Sequence, residues 1–165
     1  MARLKKMLRN VFKRDDGTQL IEFAIVFPVL LLLFAGTTEL GRLFYTYTTL
    51  AKATRGGARY LSLAVDVSGS TSAAQNLVMC GNTAGCGGAG QPAVIVPNLT
   101  ASNIVVTQTT EVVDATTGKT NTFVNVAITG YTYTPLVFNL NGMTGGNFNL
   151  TLTPSTKMRY MRNQV

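Results

Sequence analysis

The chain has 165 residues, 46% of them hydrophobic and 13% charged, with two cysteines and no histidine. That length allows one domain plus a membrane anchor, and without histidine neither a Ser/His/Asp nor a Cys/His catalytic arrangement can be built. The formal charge of +7 does not describe a nucleic-acid surface, because between Tyr60 and Thr156 only Lys119 opposes Asp66, Glu111 and Asp114.

Residues 1–17 carry Arg3, Lys5, Lys6, Arg9, Lys13 and Arg14 against Asp15 and Asp16, a net of +4. Positive charge on this flank holds it in the cytoplasm and sends the following chain across the membrane. Next comes Gly17-Thr18-Gln19-Leu20-Ile21-Glu22-Phe23. A secretory signal is cut after its apolar segment, at small residues. Here the well-placed glycine precedes the apolar run, so that run is expected to survive into the mature protein. Cutting after Gly17 leaves Thr18 as a positive N-terminus, with Glu22 four residues along the same helix face and about 6 Å away along the axis. A carboxylate in hydrocarbon costs about 2.5 kcal/mol or more, which pairing with that amine offsets, within one molecule or between neighbours. The other reading of Glu22 is a solvated carboxylate at the positive end of a helix dipole.

Phe23 to Thr38 is uncharged over 16 residues, and counting from Thr18 gives 21 residues with one carboxylate. This is the length of a membrane span. A buried core helix is the alternative, which the flanking charges and the Leu30–Leu33 run disfavour. Pro28 removes one backbone hydrogen bond and predicts a kink or loosened turn.

The helical pattern then continues. Leu40, Leu43, Phe44, Tyr47, Leu50 and Ala51 recur at three- and four-residue steps, and Glu39 and Arg42 can pair on one face for a few tenths of a kcal/mol. A helix from Thr18 to Ala64 would run roughly 70 Å. Gly56-Gly57 is its weak point, at roughly 1 kcal/mol per glycine. Ala53 and Gly57 either admit a close neighbour or are merely tolerated. Arg42, Arg55 and Arg59 read as facing lipid headgroups, a solvated helix side, or a partner's acidic patch.

From Asp66 to Asn98 the composition turns to Ser, Thr, Ala, Gly and Asn, predicting a short helix around Ser72 to Met79 and loop elsewhere. Cys80 and Cys86 lie on the oxidising side if the leader is cytoplasmic, which favours a disulfide over free thiols. A metal would need more ligands. The last third is rich in Val, Ile, Thr and Tyr. Strands are predicted over Ile104 to Val113 and Thr122 to Tyr133, joined by a turn from Asp114 to Lys119 and ended by Pro135. Val124, Val126 and Ile128 alternate with polar or small residues, as do Phe148, Leu150 and Leu152, so each run has one buried face. Asn139 to Asn147 reads as a Gly/Asn loop, and Met158 and Tyr160 as part of a short final strand. Glu111 and Asp114 fall near the turn, where carboxylates are solvated; a glycosidase-like pair would need a cleft.

Taken together, Gly17 to about Ala64 resembles the TadE-like minor pilins of the bacterial tight-adherence (Tad) pilus. The matching elements are Gly17-x4-Glu22-Phe23-Ala24, Pro28 in the apolar run, the Glu39-Leu40-Gly41-Arg42 block, and the end through Arg55, Ala58, Arg59 and Tyr60. Beyond it the likeness is loose, resting on Tyr131 to Leu136 and Lys157-Met158-Arg159. The resemblance implies cleavage between Gly17 and Thr18 by a prepilin peptidase and a part in pilus assembly for surface adherence. It also implies a single-pass inner-membrane protein with a cytoplasmic N-terminus and a periplasmic or extracellular head. The implied partners are other pilins, inner-membrane Tad assembly proteins and membrane lipid; no enzyme activity, cofactor, metal or nucleic acid is expected. The expected α+β organisation is a leader (1–17), a transmembrane helix (18–38), its periplasmic extension (39–65), a loop region with Cys80 and Cys86 (66–103), and an antiparallel sheet head packed on the helix end (104–165). Two rivals stay open. A membrane-anchored periplasmic binding or structural module would keep its leader, and a type II secretion pseudopilin would share Gly-x4-Glu but not Pro28 and the Glu39–Arg42 block.

Overall fold

The computed structural model describes residues 16–116, 118–136 and 149–161, and the chain divides into two compact units, Met1–Leu40 and Gly41–Val165. The described part of the first unit is the beginning of helix α1 (Asp16–Leu63), which is assigned without a break through Pro28. Its start two residues before Thr18 puts the Gly17–Thr18 bond in the first helical turn. The predicted Asn139–Asn147 loop and Phe148 lie outside the described residues.

The second unit is built on the last part of α1. Its buried face runs through Leu50, Thr54, Gly57, Ala58 and Leu61, at helical steps of three and four. Against it lies α2 (Val67–Cys80). The sequence suggested a start at Ser72, yet α2 begins five residues earlier because Asp66 caps it. The Asp66 carboxylate accepts from the Ser68 and Gly69 amides at 3.1 and 2.7 Å, satisfying donors that a helix start leaves open. At the other end Gly81 adopts φ 72° and its N–H donates to the Leu77 carbonyl, a left-handed stop that suits glycine. Beyond it Cys80 and Cys86 are joined by a disulfide, with Cα atoms 5.8 Å apart.

Three strands form an antiparallel sheet in the order β1 (Ile104–Asp114), β2 (Lys119–Ile128) and β5 (Ser155–Arg159). The β1–β2 register runs from Ile104 opposite Ile128 to Val112 opposite Thr120, then slips by a bulge before Asp114 meets Lys119. Val124, Val126 and Ile128 are fully buried, as their alternation required. A fully buried aliphatic side chain contributes roughly 1.5–3 kcal/mol, so these three anchor the sheet on α1 and α2. Leu150 departs from the expected pattern: Leu152 is buried, but Leu150 is exposed at the end of a three-residue strand.

The single strand predicted over Thr122 to Tyr133 is in fact two. Gly130 has φ 68°, a turn conformation, and it redirects the chain. β3 (Tyr131–Tyr133) leaves the main sheet and pairs instead with β4 (Leu150–Leu152), Tyr131 facing Leu152. Tyr131 and Tyr133 close the core on this side. The Tyr131 hydroxyl donates to the Pro97 carbonyl at 3.2 Å, and burial pushes its phenol above the ordinary range. At the chain's far end Tyr160 lies beyond β5 rather than in it. Its hydroxyl reaches the carbonyls of Ala64 and Val65, at 2.9 and 3.0 Å, and fastens the last segment to the end of α1.

Closing the seven-residue Cys80–Cys86 ring contributes about 2 kcal/mol in the chain-entropy model. Cys80→Ser is therefore expected to lower the denaturant midpoint of the second unit without altering membrane insertion. Alkylation should add two groups only after reduction, and labelling of both thiols in unreduced membranes would show the ring open.

Candidate functional site

The chemistry-bearing residues singled out in the sequence fall mainly on the N-terminal half of α1. From Gly17 to Thr38 Glu22 is the one ionisable side chain. It is exposed, as are Thr18 and Phe23. Gln19, Glu22, Phe23 and Val26 line one shallow open depression, because their three- and four-residue spacing puts them on a common face. The Phe23 ring stacks on Phe27 with centroids 5.2 Å apart, which adds an aromatic step beside the carboxylate. Thr18 lies one turn before Glu22 on the same side.

The apolar residues around this carboxylate are not covered by the protein. Leu20, Ile25, Leu32 and Phe34 are 61–73% exposed, and the most apolar stretch of the helix has mean hydropathy 2.3 with none of it buried. A core helix of the same composition would be mostly covered, so the burial decides against the core-helix alternative. This helix is long and apolar enough to cross a membrane. The two threonines of the Phe23–Thr38 run agree with that environment. Thr37 and Thr38 each donate their hydroxyl to the carbonyl four residues back, at 2.9 Å, so neither presents a bare donor to hydrocarbon.

Beyond Thr38 the expected amphipathic stripe splits in two. Leu50 is buried and Leu43 and Ala51 are half-buried, but Leu40, Phe44 and Tyr47 are 45–64% exposed. The apolar residues occupy two adjacent helix rows, and only one row is covered. Tyr45 is 72% exposed but lies about 100° round the helix from Phe44, outside the exposed row. Arg42 corrects a further expectation. Its guanidinium sits 5.9 Å from the centroid of the Tyr133 ring, a cation–π placement in the second unit in place of a wholly solvated helix side. Arg55 and Arg59 are exposed, and so is Lys52. Cys80 and Cys86 belong to the second unit. Among the described residues no cluster of His, Cys, Asp or Glu could hold a metal.

Residues 17–59 match the family model of the TadE-like proteins. This segment is TadE-like. The TadE-like match begins at the glycine of the Gly17-x4-Glu22 motif and takes in Phe23, Pro28, the Glu39–Arg42 block and Gly57. It ends before α2 and the strands. The match covers 43 of the 165 residues and speaks for this part of α1 alone. No curated protein and no solved structure matches the chain.

Proposed function

We propose that the chain is a minor pilin of a Tad pilus, cut between Gly17 and Thr18 by a prepilin peptidase and held in the inner membrane by α1 until assembly. The observation that carries this reading is the coincidence of three things on one helix. The TadE-like match starts at Gly17, a lone carboxylate follows at Glu22, and the surrounding apolar surface is uncovered. A filament of packed helices requires such a surface, since each uncovered side chain finds cover against a neighbouring subunit. The amine of Thr18 then meets Glu22, its own or a neighbour's, and sets how far each helix slides along the next. Leu40, Phe44 and Tyr47 are further exposed apolar side chains of α1 that a neighbouring subunit would cover. The basic flank places the N-terminus in the cytoplasm and the second unit outside, where the Cys80–Cys86 bond persists. The partners are the peptidase, other pilins, the membrane assembly proteins of the system, and lipid before extraction.

The decisive measurement is the mature N-terminus. Mass spectrometry of protein from piliated cells is expected to show Thr18 first, and deletion of the peptidase to leave the chain 17 residues longer. Full-length chain in a peptidase-positive, piliated strain would end the reading and favour an uncut membrane-anchored module.

A further inference from the structure

The exposed apolar side chains of α1 do not stop where its uncharged run stops. Leu40, Phe44, Tyr45 and Tyr47 all stand open beyond Thr38. After Tyr47 the character of the exposed surface changes. From Thr48 to Arg59 the exposed residues of the helix are Thr48, Lys52, Arg55, Gly56 and Arg59, none of them a large apolar one. The change falls at one level along the helix and is not confined to one side. Tyr45 lies about 100° round from Phe44, and Tyr47 about 60° the other way. A row that packs against another helix follows the axis. A boundary between hydrocarbon and water runs across it, as this one does.

Length sets the depth of that level. The hydrocarbon core of a bilayer is about 30 Å thick, which about 20 helical residues fill at 1.5 Å each. Counted from Leu20 or Phe23, on either side of Glu22, it ends at Glu39 or Arg42. The next turn, through Phe44, Tyr45 and Tyr47, then lies among the headgroups. Tyrosine is enriched there because its ring is apolar and its hydroxyl reaches water.

A second element of the second unit brings apolar side chains to the same end. The Arg42 guanidinium stands 5.9 Å from the centroid of the Tyr133 ring, and Tyr133 is the last residue of β3. Across the β3–β4 pair Tyr133 faces Leu150, which is exposed, as is Leu136 three residues past Tyr133. The open face of the larger sheet is different, with Thr107, Thr109, Lys157 and Arg159 exposed on it.

We propose that the end of the second unit next to Arg42 rests in the lipid headgroup layer, with Phe44, Tyr45, Tyr47 and Leu150 seated in it. The occupant is lipid because this surface continues the apolar span directly, Phe44 following Leu40 by one helical turn. Arg42 carries its charge at the depth of the phosphates, where a guanidinium is favoured. The inference rests on α1 being a membrane anchor and not on the pilus role.

The chain has no tryptophan, so single Trp substitutions at exposed positions report depth without background. Full-length Leu31→Trp, Tyr45→Trp, Leu150→Trp and Val65→Trp would be reconstituted in phosphatidylcholine–phosphatidylglycerol vesicles. The acyl chains carry bromine either near the headgroup or near the chain end. Leu31→Trp lies in the middle of the span and should be quenched most by the deep bromines. Tyr45→Trp and Leu150→Trp are expected to emit to the blue of Val65→Trp and to lose most of their emission to the shallow bromines. Val65→Trp, past the end of α1, should be untouched by either lipid and quenched by acrylamide from solution. Leu150→Trp open to acrylamide and untouched by both lipids would mean that the second unit stands clear of the membrane. Tyr45→Trp shielded from lipid and acrylamide alike would put protein there in place of lipid. Shallow quenching of Val65→Trp equal to that of Leu150→Trp would leave no preferred face. Each of these three results overturns the proposal, whereas a Leu31→Trp that escapes the deep bromines defeats the anchor itself.

Discussion

Gly57→Ala should destabilise the second unit, while the same change at the adjacent Gly56 should stabilise it. The two glycines look equivalent in the sequence, and intrinsic helix propensity favours alanine by about 1 kcal/mol at either. Their surroundings differ. A Cβ at Gly56 meets nothing within 4 Å, whereas at Gly57 it would stand 2.5 Å from Cγ2 of Val78, with Val126 Cγ1 and the Ala74 carbonyl 3.6 Å away. Val78 cannot swing aside easily. It is β-branched and stiff at χ1 on a helix, and fully buried. Forcing one extra methyl into a packed core costs roughly 1–3 kcal/mol, which exceeds the propensity gain through most of that range. Gly57→Leu cannot be accommodated without separating α1 from α2 and β2, and should lose several times more. Thermal unfolding of the detergent-solubilised protein, followed by circular dichroism, checks the order: Gly56→Ala above wild type, then Gly57→Ala below it, with Gly57→Leu lowest. If Gly57→Ala matched Gly56→Ala, α1 and α2 would not be in close contact, and the small residue would be merely tolerated.

That pair of glycines also shows where the sequence stops being readable. Apolar length and period make α1 legible to within two residues at each end, because both signals are local to the chain. The buried row Val124, Val126 and Ile128 is legible for the same reason: a period of two leaves few alternatives. What decides Gly57 is the presence of Val78, 21 positions later, and nothing near Gly57 announces it. The start of α2 was misplaced because Val67-Ser68-Gly69-Ser70-Thr71 has loop composition, and the Asp66 cap outweighs that weak propensity. The strand break at Gly130 turned on one backbone angle, where the β-rich composition on both sides suggested continuity. Leu99 and Val96 belong to the core from within a stretch read as loop, since an isolated apolar residue carries no period. At the candidate site the motif Gly17-x4-Glu22 was legible as spacing. That the surrounding surface is uncovered could be learned only from the fold.

Glu22→Leu is expected to leave the protein at normal levels in the membrane, cut after Gly17, and to remove surface pili almost entirely. On stability grounds the substitution helps insertion. It replaces a carboxylate, costed at about 2.5 kcal/mol or more in hydrocarbon, with a leucine that favours it. The parent tolerates the charge because Glu22 lies in the second turn of α1, close enough to the helix start for the side chain to reach the interface. A residue that hinders insertion and is not needed for folding must act elsewhere. Under the proposed role it neutralises the Thr18 amine, four residues away on the same face, once the helix leaves lipid for the filament. There both charges would otherwise be stranded among apolar neighbours, and unpaired buried charge is far more costly than a buried pair. Glu22→Gln separates charge from shape. It keeps the size and hydrogen-bonding capacity of the side chain but cannot neutralise an ammonium, so it should fail nearly as badly as leucine. Glu22→Asp keeps the charge on a shorter reach and should restore part of the piliation. Electron-microscopic pilus counts beside membrane fractionation and N-terminal mass measurement separate assembly from insertion and processing. Wild-type piliation in both the Leu and Gln variants would return Glu22 to a carboxylate resting at a helix start, favoured by the helix dipole and by nothing else.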